Sequence, residues 1–304
     1  MLSKEDVEWA YRVVLNREPE DDACIQEKRS ACPNMKILRD TLLASDEYVR
    51  DSGGTPGKSN IVIKPIGNLR LYVDITDRVV GMALIHDNYE TEELKFVRST
   101  VKPGWNVLDL GANYGIYTLT MAAIVGVEGS VVAFEPLSPI RELLMKTVRE
   151  NRLTNVEVRS EAAGLAAAKV KLVHAPVTIN RGGAFLTSLE AEPRANHVAD
   201  IVTMIPVGML NLKRPIGFIK MDIEGSEGMA VQGMENILAE DHPIVMCELH
   251  DPQLRSVSGT TAPGLVQRFA DMGYSCKAFI PGGLVPVSGS ELAGRVTNVV
   301  FFPR

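Results

Sequence analysis

The chain has 304 residues, 45% of them hydrophobic, and a formal net charge of −6. That length suits one large domain or one domain with an appendage, and the apolar content is enough for a sizeable core. The acidic balance argues against a nucleic-acid binder driven by a general basic field, and no apolar run nears the ~20 residues that span a bilayer. The N-terminus, MLSKEDVEWA, is charged at once and lacks the apolar core of a signal peptide. Cys24, Cys32, Cys247 and Cys276 form no CxxC pair and read as free thiols rather than disulfides or zinc ligands. Together these features predict a soluble, cytoplasmic protein in a reducing compartment.

Residues 3–50 read as helical. Val7, Ala10, Tyr11, Val14 and Leu15 recur at helical spacing behind Ser3, a candidate N-cap. Pro19 ends that helix. A second helix is predicted over 21–31 and a third over 35–49, with Ile37, Leu38, Leu42 and Leu43 inward. "DSGGTPGKSN" reads as a linker, so the expected organisation is a helical domain at 1–55 and a second domain at 56–304. "NIVIKPIGNLRLYVDIT" predicts a β-hairpin turning at Gly67–Asn68, and "ETEELKFVRSTV" a helix. From residue 105 strands and helices alternate. "WNVLDL", "SVVAFEP", "VEVRSEAAG", "IGFIKMDIEG" and "PIVMCELH" read as strands; "YGIYTLTMAAIV", "PIRELLMKTVRENRL" and 226–240 read as helices. Such alternation implies a mostly parallel sheet covered on both faces. "PGLVQRFADMG" adds a helix, and "YSCKAFI" with "VTNVVFFP" closes the sheet as an antiparallel pair.

"LDLGANYGIYTL", residues 108–119, reads as a strand ending near Asp109, a glycine loop and a helix start. Glycine allows positive φ and close approach of backbone to a ligand, and a helix N-terminus offers unsatisfied N–H groups. In doubly wound sheets ligands sit outside the carboxyl ends of the strands. Three strand ends here carry acids: Asp109, Glu135 and Asp222. Glu135, 24 residues after Gly111, stands where a carboxylate accepts hydrogen bonds from both hydroxyls of a ribose, which suits any adenosine cofactor, NAD included. The loop discriminates. A dinucleotide site reads GxGxxG against a pyrophosphate, whereas Gly111 and Gly115 are spaced GxxxG. Asp109 would repel a pyrophosphate and attract the ammonium or sulfonium of S-adenosyl-L-methionine (SAM). These residues favour SAM over NAD.

In four stretches, "NYETEE" at 88–93, "VLDLGANYGIYTL", "VVAFEP" and "FIKMDIEGSE", the sequence resembles the FkbM-type family of SAM-dependent methyltransferases. The resemblance covers about residues 61–250. It implies an α/β, Rossmann-like methyltransferase fold with a mostly parallel seven-stranded sheet, and methylation of a hydroxyl on a sugar or natural product. By that resemblance Asp109, Gly111, Asn113 and Gly115 line the methionine part of SAM, Glu135 holds the ribose, and Glu161 and Ala162 flank the adenine. Asp222 faces the methyl group and the acceptor, while Tyr89 and Glu90 either approach the cofactor or anchor their segment. "HVADIVTMIPVGML" departs from the family pattern, and residues 164–215 are expected to contribute to acceptor selection. "AYRVVLNREPEDD" followed by "LLASDEYVR" is similar to small helical domains that accompany enzymes of surface carbohydrate assembly, which suggests a docking or substrate-presenting module.

In-line methyl transfer to a sugar hydroxyl needs positioning and a base or metal, because the hydroxyl is a poor nucleophile at neutral pH. The candidates are Asp222, Glu224, Glu227, Glu248 and His250. Asp222, Glu248 and His250 are the expected catalytic group, and could hold a Mg²⁺ if their strands are neighbours; otherwise a carboxylate or His250 acts as base. Plainer readings stand beside these. Asp109 could cap the glycine turn, Glu135 could be a solvated strand end, and Lys220 could snorkel or pair with Asp222. Glu224 and Glu227 could be helix N-terminal acids, and His250 a surface histidine. His86 and His174 read as structural, and "INRGGAF" at 179–185 as a turn or a hinged loop over the acceptor. The expected function is a SAM-dependent O-methyltransferase acting on a hydroxyl of a sugar or glycan. Its rivals are methylation of a polyketide or other secondary metabolite, an NAD(P) oxidoreductase, and a non-catalytic SAM- or carbohydrate-binding scaffold. The expected partner is a small-molecule or glycan acceptor, with no nucleic acid and no membrane span. A homo-oligomer, and docking of a partner or glycan by the N-terminal helices, are left open.

Overall fold

A computed structural model describes residues 2–15, 17–32, 35–43, 60–175, 182–192 and 197–304. They fall into two compact units. The first runs to Val62 and takes in Asp74–Thr76; the second comprises Ile63–Val73 and Asp77–Arg304. The first contains helices α1 (Lys4–Leu15), α2 (Asp22–Ala31) and α3 (Met35–Leu43). Ser3 caps α1 reciprocally: its Oγ accepts from the Asp6 amide at 3.0 Å, and Asp6 Oδ2 accepts from the Ser3 amide at 2.7 Å. This is a capping box with Asp in place of the usual Glu. Asp21 Oδ1 accepts from the Cys24 amide at 2.8 Å and starts α2. Val7, Ala10, Tyr11, Val14 and Leu15 are buried as expected, as are Leu38 and Leu42. Ile37, expected inward, is 41% exposed; it stands one position off the i, i+4 stripe that Leu38 and Leu42 form. The rest of the predicted third helix, most of the linker and the boundary at residue 55 lie outside the described residues.

A hairpin of β1 (Ile61–Ile66) and β2 (Leu69–Asp74) turns at Gly67–Asn68 as predicted. Helices α4 (Val80–Ile85) and α5 (Thr91–Thr100) lead into β3 (Asn106–Leu110), α6 (Ile116–Val125), β4 (Ser130–Phe134), α7 (Ser138–Glu150) and β5 (Val156–Arg159). Then come β6 (Ala162–Ala163), β7 (Ala168–His174), β8 (Phe185–Thr187) and β9 (Val198–Ile205). The chain continues through β10 (Ile216–Met221), α8 (Glu227–Gly233), α9 (Glu235–Asp241), β11 (Ile244–His250), α10 (Asp251–Val257) and α11 (Ala262–Asp271). It ends with β12 (Tyr274–Ile280), β13 (Gly283–Pro286) and β14 (Val296–Pro303).

Eight strands among the described residues form the main sheet, in the order β13-β12-β14-β11-β10-β3-β4-β5. From β11 to β5 the neighbours are parallel, while β14, β12 and β13 add antiparallel pairings. The seven expected strands are all present, and the eighth is β13. Its four residues, GLVP, offer too little apolar alternation to read as a strand. Period-2 alternation divides the side chains between the faces. Leu108, Ile219 and Val245 pack on one face with Val231 of α8, Leu238 of α9 and Phe269 of α11. On the other, Phe96 of α5 meets Phe218 with ring centroids 6.4 Å apart, and Leu144 of α7 packs on Ala133. This is a Rossmann-like α/β sheet with helices on both faces.

Two predicted elements divide, and one region holds an unforeseen sheet. The strand expected over 156–164 leaves the main sheet after Arg159; Ala162–Ala163 instead pairs in parallel with Met204–Ile205. The helix expected over 226–240 breaks at Met234, whose φ of −133° is not helical. Gly233 lies so close to another segment that a Cβ there would sit 1.9 Å from the Gly164 carbonyl oxygen. Among the described residues of 162–205 four strands form a second sheet in the order β6-β9-β7-β8. No described helix is long and apolar enough to cross a membrane.

Candidate active site

The parallel strands β3, β4, β10 and β11 end on one side of the sheet, and a cleft opens there. Its walls include Gly111 and Asn113 after β3, Glu135 after β4, Asp222 and Glu224 after β10, and Glu248 near the end of β11. Tyr89 and Glu90 close one side, and Ala162 another. Three non-glycine residues with positive φ line it: Glu90 at 40°, Asn113 at 51° and Glu224 at 53°. Backbone held in this sparsely populated region tends to collect at functional sites.

The glycine loop is built as its sequence requires. Gly111 has φ +82°, and a Cβ would lie 1.9 Å from the Asp222 carbonyl oxygen. Loop and β10 end are thus in backbone contact, reinforced by the Asp222 amide donating to the Leu110 carbonyl at 3.0 Å. Gly115 has φ +93° and begins α6, where a Cβ would meet Leu144 Cδ1 at 2.4 Å. Gly115 is therefore a packing requirement and does not line the cleft. Asp109 also stays behind the wall, fully buried, with Oδ2 accepting from Thr118 Oγ1 at 2.5 Å and Oδ1 unpartnered among the described residues. Burial raises its pKa to about 6, against the Thr118 bond and the positive charge of Lys220.

Glu135 Oε2 accepts from the Asn113 amide at 2.8 Å, and Oε1 accepts from the Leu137 amide at 2.9 Å. It ties the glycine loop to the end of β4. Burial nevertheless pushes its pKa up to about 7. Glu161, expected beside the adenine, turns away and pairs with Arg159 at 2.7 Å, while its neighbour Ala162 lines the cleft.

The acids gather at the other end. Carboxylate oxygens of Asp222, Glu224 and Glu248 all lie within 4.8 Å of one another. Parallel pairing of β10 with β11, Met221 opposite Cys247, brings these strand ends together. Lys220 is 2% exposed in the central strand, with Nζ 3.2 Å from Asp222 Oδ2 and 5.1 Å from the Tyr117 ring centroid. Burial opposes its charge, but Asp222, Glu90 and Asp109 outweigh that and raise its pKa. Pairing with Asp222, rather than snorkelling, is its place here. Burial, then repulsion from Asp222, raises Glu224 to about 7; burial with Asp222 and Glu224 raises Glu248 to about 8. Glu90 accepts from the Tyr117 hydroxyl, and burial raises its pKa too.

His250 does not join these acids. It is the last residue of β11 and caps α10, its Nδ1 accepting from the Gln253 amide at 3.3 Å. Glu224 takes the third position that the sequence reading gave to His250. Glu227 is buried at the start of α8 and binds the Ile223 amide at 3.0 Å, holding the Asp222–Ser226 turn closed from behind. His174 lies beside Asp200 at 3.2 Å, outside the cleft lining. Residues 179–181 of "INRGGAF" lie outside the described residues, while Gly182 and Ala184 line the cleft. Sequence reasoning missed the apolar wall of Val79, Val80, Leu172 and Leu186, and also missed Ser226. Leu172 and Leu186 come from paired strands of the second sheet, which left no motif to find.

A glycine loop, a buried acid at the end of the next strand and an acidic strand end line one cleft outside the carboxyl ends of the strands, where open α/β sheets bind ligands; the class this arrangement fits is the SAM-dependent methyltransferases. The family model of the methyltransferase FkbM domain matches residues 109–276, more than half of the chain, and the chain belongs to that family. No curated protein matches the sequence. Among solved structures, the methyltransferase FkbM from Methylobacillus flagellatus KT is 17% identical with a TM-score of 0.45, covering 96% of this chain and 58% of its own. This chain thus spans under two thirds of that relative's length. M. jannaschii TYW2 in complex with AdoMet is 13% identical, with TM-score 0.43 and coverage of 82% and 90%. Aeropyrum pernix fibrillarin with natively bound S-adenosyl-L-methionine is 14% identical, with TM-score 0.41 and coverage of 70% and 74%.

Proposed function

We propose that this chain is a SAM-dependent O-methyltransferase acting on a hydroxyl of a sugar or glycan. The observation that carries the reading is one cleft with two chemically distinct parts. Asn113 and Glu135 line one part of it, Asp222, Glu224 and Glu248 gather in another, and Gly111 touches the Asp222 backbone between them. SAM would lie along the glycine loop with its ribose hydroxyls donating to Glu135 and its adenine beside Ala162. The positive sulfonium would face the acidic end, where Coulomb attraction favours it. The acceptor hydroxyl attacks the methyl carbon in line, the S–C bond breaks, and S-adenosylhomocysteine leaves. The hydroxyl proton passes to one of the acids gathered there. Holding the two reactants in line supplies much of the acceleration.

A second reading, a polyketide or other secondary metabolite as acceptor, is favoured by the apolar wall of Val79, Val80, Leu172 and Leu186. The N-terminal helices would serve as an accessory module that docks a glycan or partner. The test is calorimetric titration with S-adenosylhomocysteine and, separately, with NAD(H), repeated on Glu135→Ala. Binding of S-adenosylhomocysteine alone, weakened by the substitution, supports the methyltransferase reading. Binding of NAD(H) alone overturns it. Methyl transfer from labelled SAM to panels of sugars and of polyketides then separates the two acceptor classes.

A further inference from the structure

We infer that the acidic part of the cleft is a binding site for one hard divalent cation, held by Asp222, Glu224 and Glu248, with Ser226 in the same cleft wall. The inference rests on the methyltransferase reading of the cleft and adds a ligand to it. The three carboxylate oxygens lie within 4.8 Å of one another. Oxygens on opposite sides of a Ca²⁺ stand about 4.6–5.2 Å apart and those of a Mg²⁺ about 4.2 Å, so the spacing lies within the span of a Ca²⁺, while a Mg²⁺ needs the carboxylates to close by up to about 0.6 Å. Lys220 Nζ is held by Asp222 Oδ2, which leaves Oδ1 for another partner. Ionised together, as a bound cation would hold them, the three carboxylates with Lys220 would carry a charge of −2, which a divalent cation complements.

A second observation is independent of the acids. Ser226 lines the same cleft and is 1% exposed, yet its Oγ has no hydrogen-bond partner among the described residues. A buried hydroxyl without a partner costs free energy, and a bound ion or its water would supply one. The donor set is entirely oxygen, which suits Mg²⁺ or Ca²⁺ and not a thiolate- or imidazole-seeking metal.

Mn²⁺ is the probe, read by electron paramagnetic resonance on the full chain saturated with S-adenosylhomocysteine. One Mn²⁺ per chain is expected, displaced by Mg²⁺ or Ca²⁺. Glu224→Gln should weaken binding at least tenfold and Ser226→Ala several-fold, with a cooperative thermal unfolding transition retained in both as the check on folding. Bound S-adenosylhomocysteine without bound Mn²⁺ overturns the cation site and leaves the methyltransferase reading standing. Mn²⁺ bound equally by wild type and both variants also overturns it. Loss of both ligands from the wild type overturns both.

Discussion

Gly111→Ala tests whether the glycine loop is fixed by the backbone of β10. At φ +82° an L side chain is strained by about 1–2 kcal/mol. The new Cβ would also sit 1.9 Å from the Asp222 carbonyl oxygen and 3.2 Å from Ile223 Cγ2. Relief to a normal C···O contact of ~3.3 Å needs a shift of about 1.4 Å. That shift would pull on the bond from the Asp222 amide to the Leu110 carbonyl. Overpacking of this kind adds about 1–3 kcal/mol, for a total of roughly 2–5 kcal/mol and a fall in Tm on the order of 10 °C. Gly104→Ala is the control, because Gly104 has φ +80° with nothing within 4 Å of its Cβ position. It should lose only the strain, about 1–2 kcal/mol. Thermal unfolding by calorimetry and S-adenosylhomocysteine titration are run on both. Equal losses of stability in the two variants would refute the contact argument, and unchanged cofactor affinity in Gly111→Ala would refute the loop's role in the cleft.

Three further outcomes follow from the buried charges. Glu135 has a pKa near 7 in the fold against an ordinary 4.5, so between those values the folded chain holds a proton that the unfolded chain has lost. Its contribution to stability is therefore greatest below pH 4.5 and falls as pH rises to about 7. Ribose hydroxyls favour the ionised form, so S-adenosylhomocysteine affinity should rise through pH 7 with proton release; calorimetry in buffers of different ionisation enthalpy measures this, and unchanged release in Glu135→Gln contradicts it. Lys220→Met leaves Asp222 without its cation and should cost about 3 kcal/mol in denaturant unfolding. Adding Asp222→Asn should recover part of that loss, and strict additivity of the two changes would disprove the pairing. Thr118→Val removes the hydroxyl bound to Asp109 and should cost about 1.5–3 kcal/mol; a neutral effect in the same assay would show that Asp109 needs no partner.

What the sequence disclosed follows from how locally each feature is encoded. The strands of the main sheet are continuous apolar runs because both faces are covered, and the glycine loop is contiguous, so each could be read in one window. The parallel order put β10 beside β3 and β11, and with it Asp222 beside Glu248. His250 was misjudged for a local reason. It shares a strand face with Glu248 two residues away, but the chain turns into α10 at the next residue and its Nδ1 accepts from the Gln253 amide. Glu224 was underrated because its reach depends on φ 53° in a turn closed by Gly225, a conformation that residue identity alone does not announce. Residues 162–205 were opaque for a different reason. Ala162–Ala163 pairs with Met204–Ile205 some forty residues later, and no local periodicity records a partner that distant. Strand β9 pairs with β6 and with β7, and so brings Ala162 and Leu172 into one cleft wall. The Leu172 and Leu186 wall is thus written in long-range pairing, while the glycine loop and Glu135 are written in contiguous motifs. That asymmetry is why the cofactor class could be read from the chain before the acceptor.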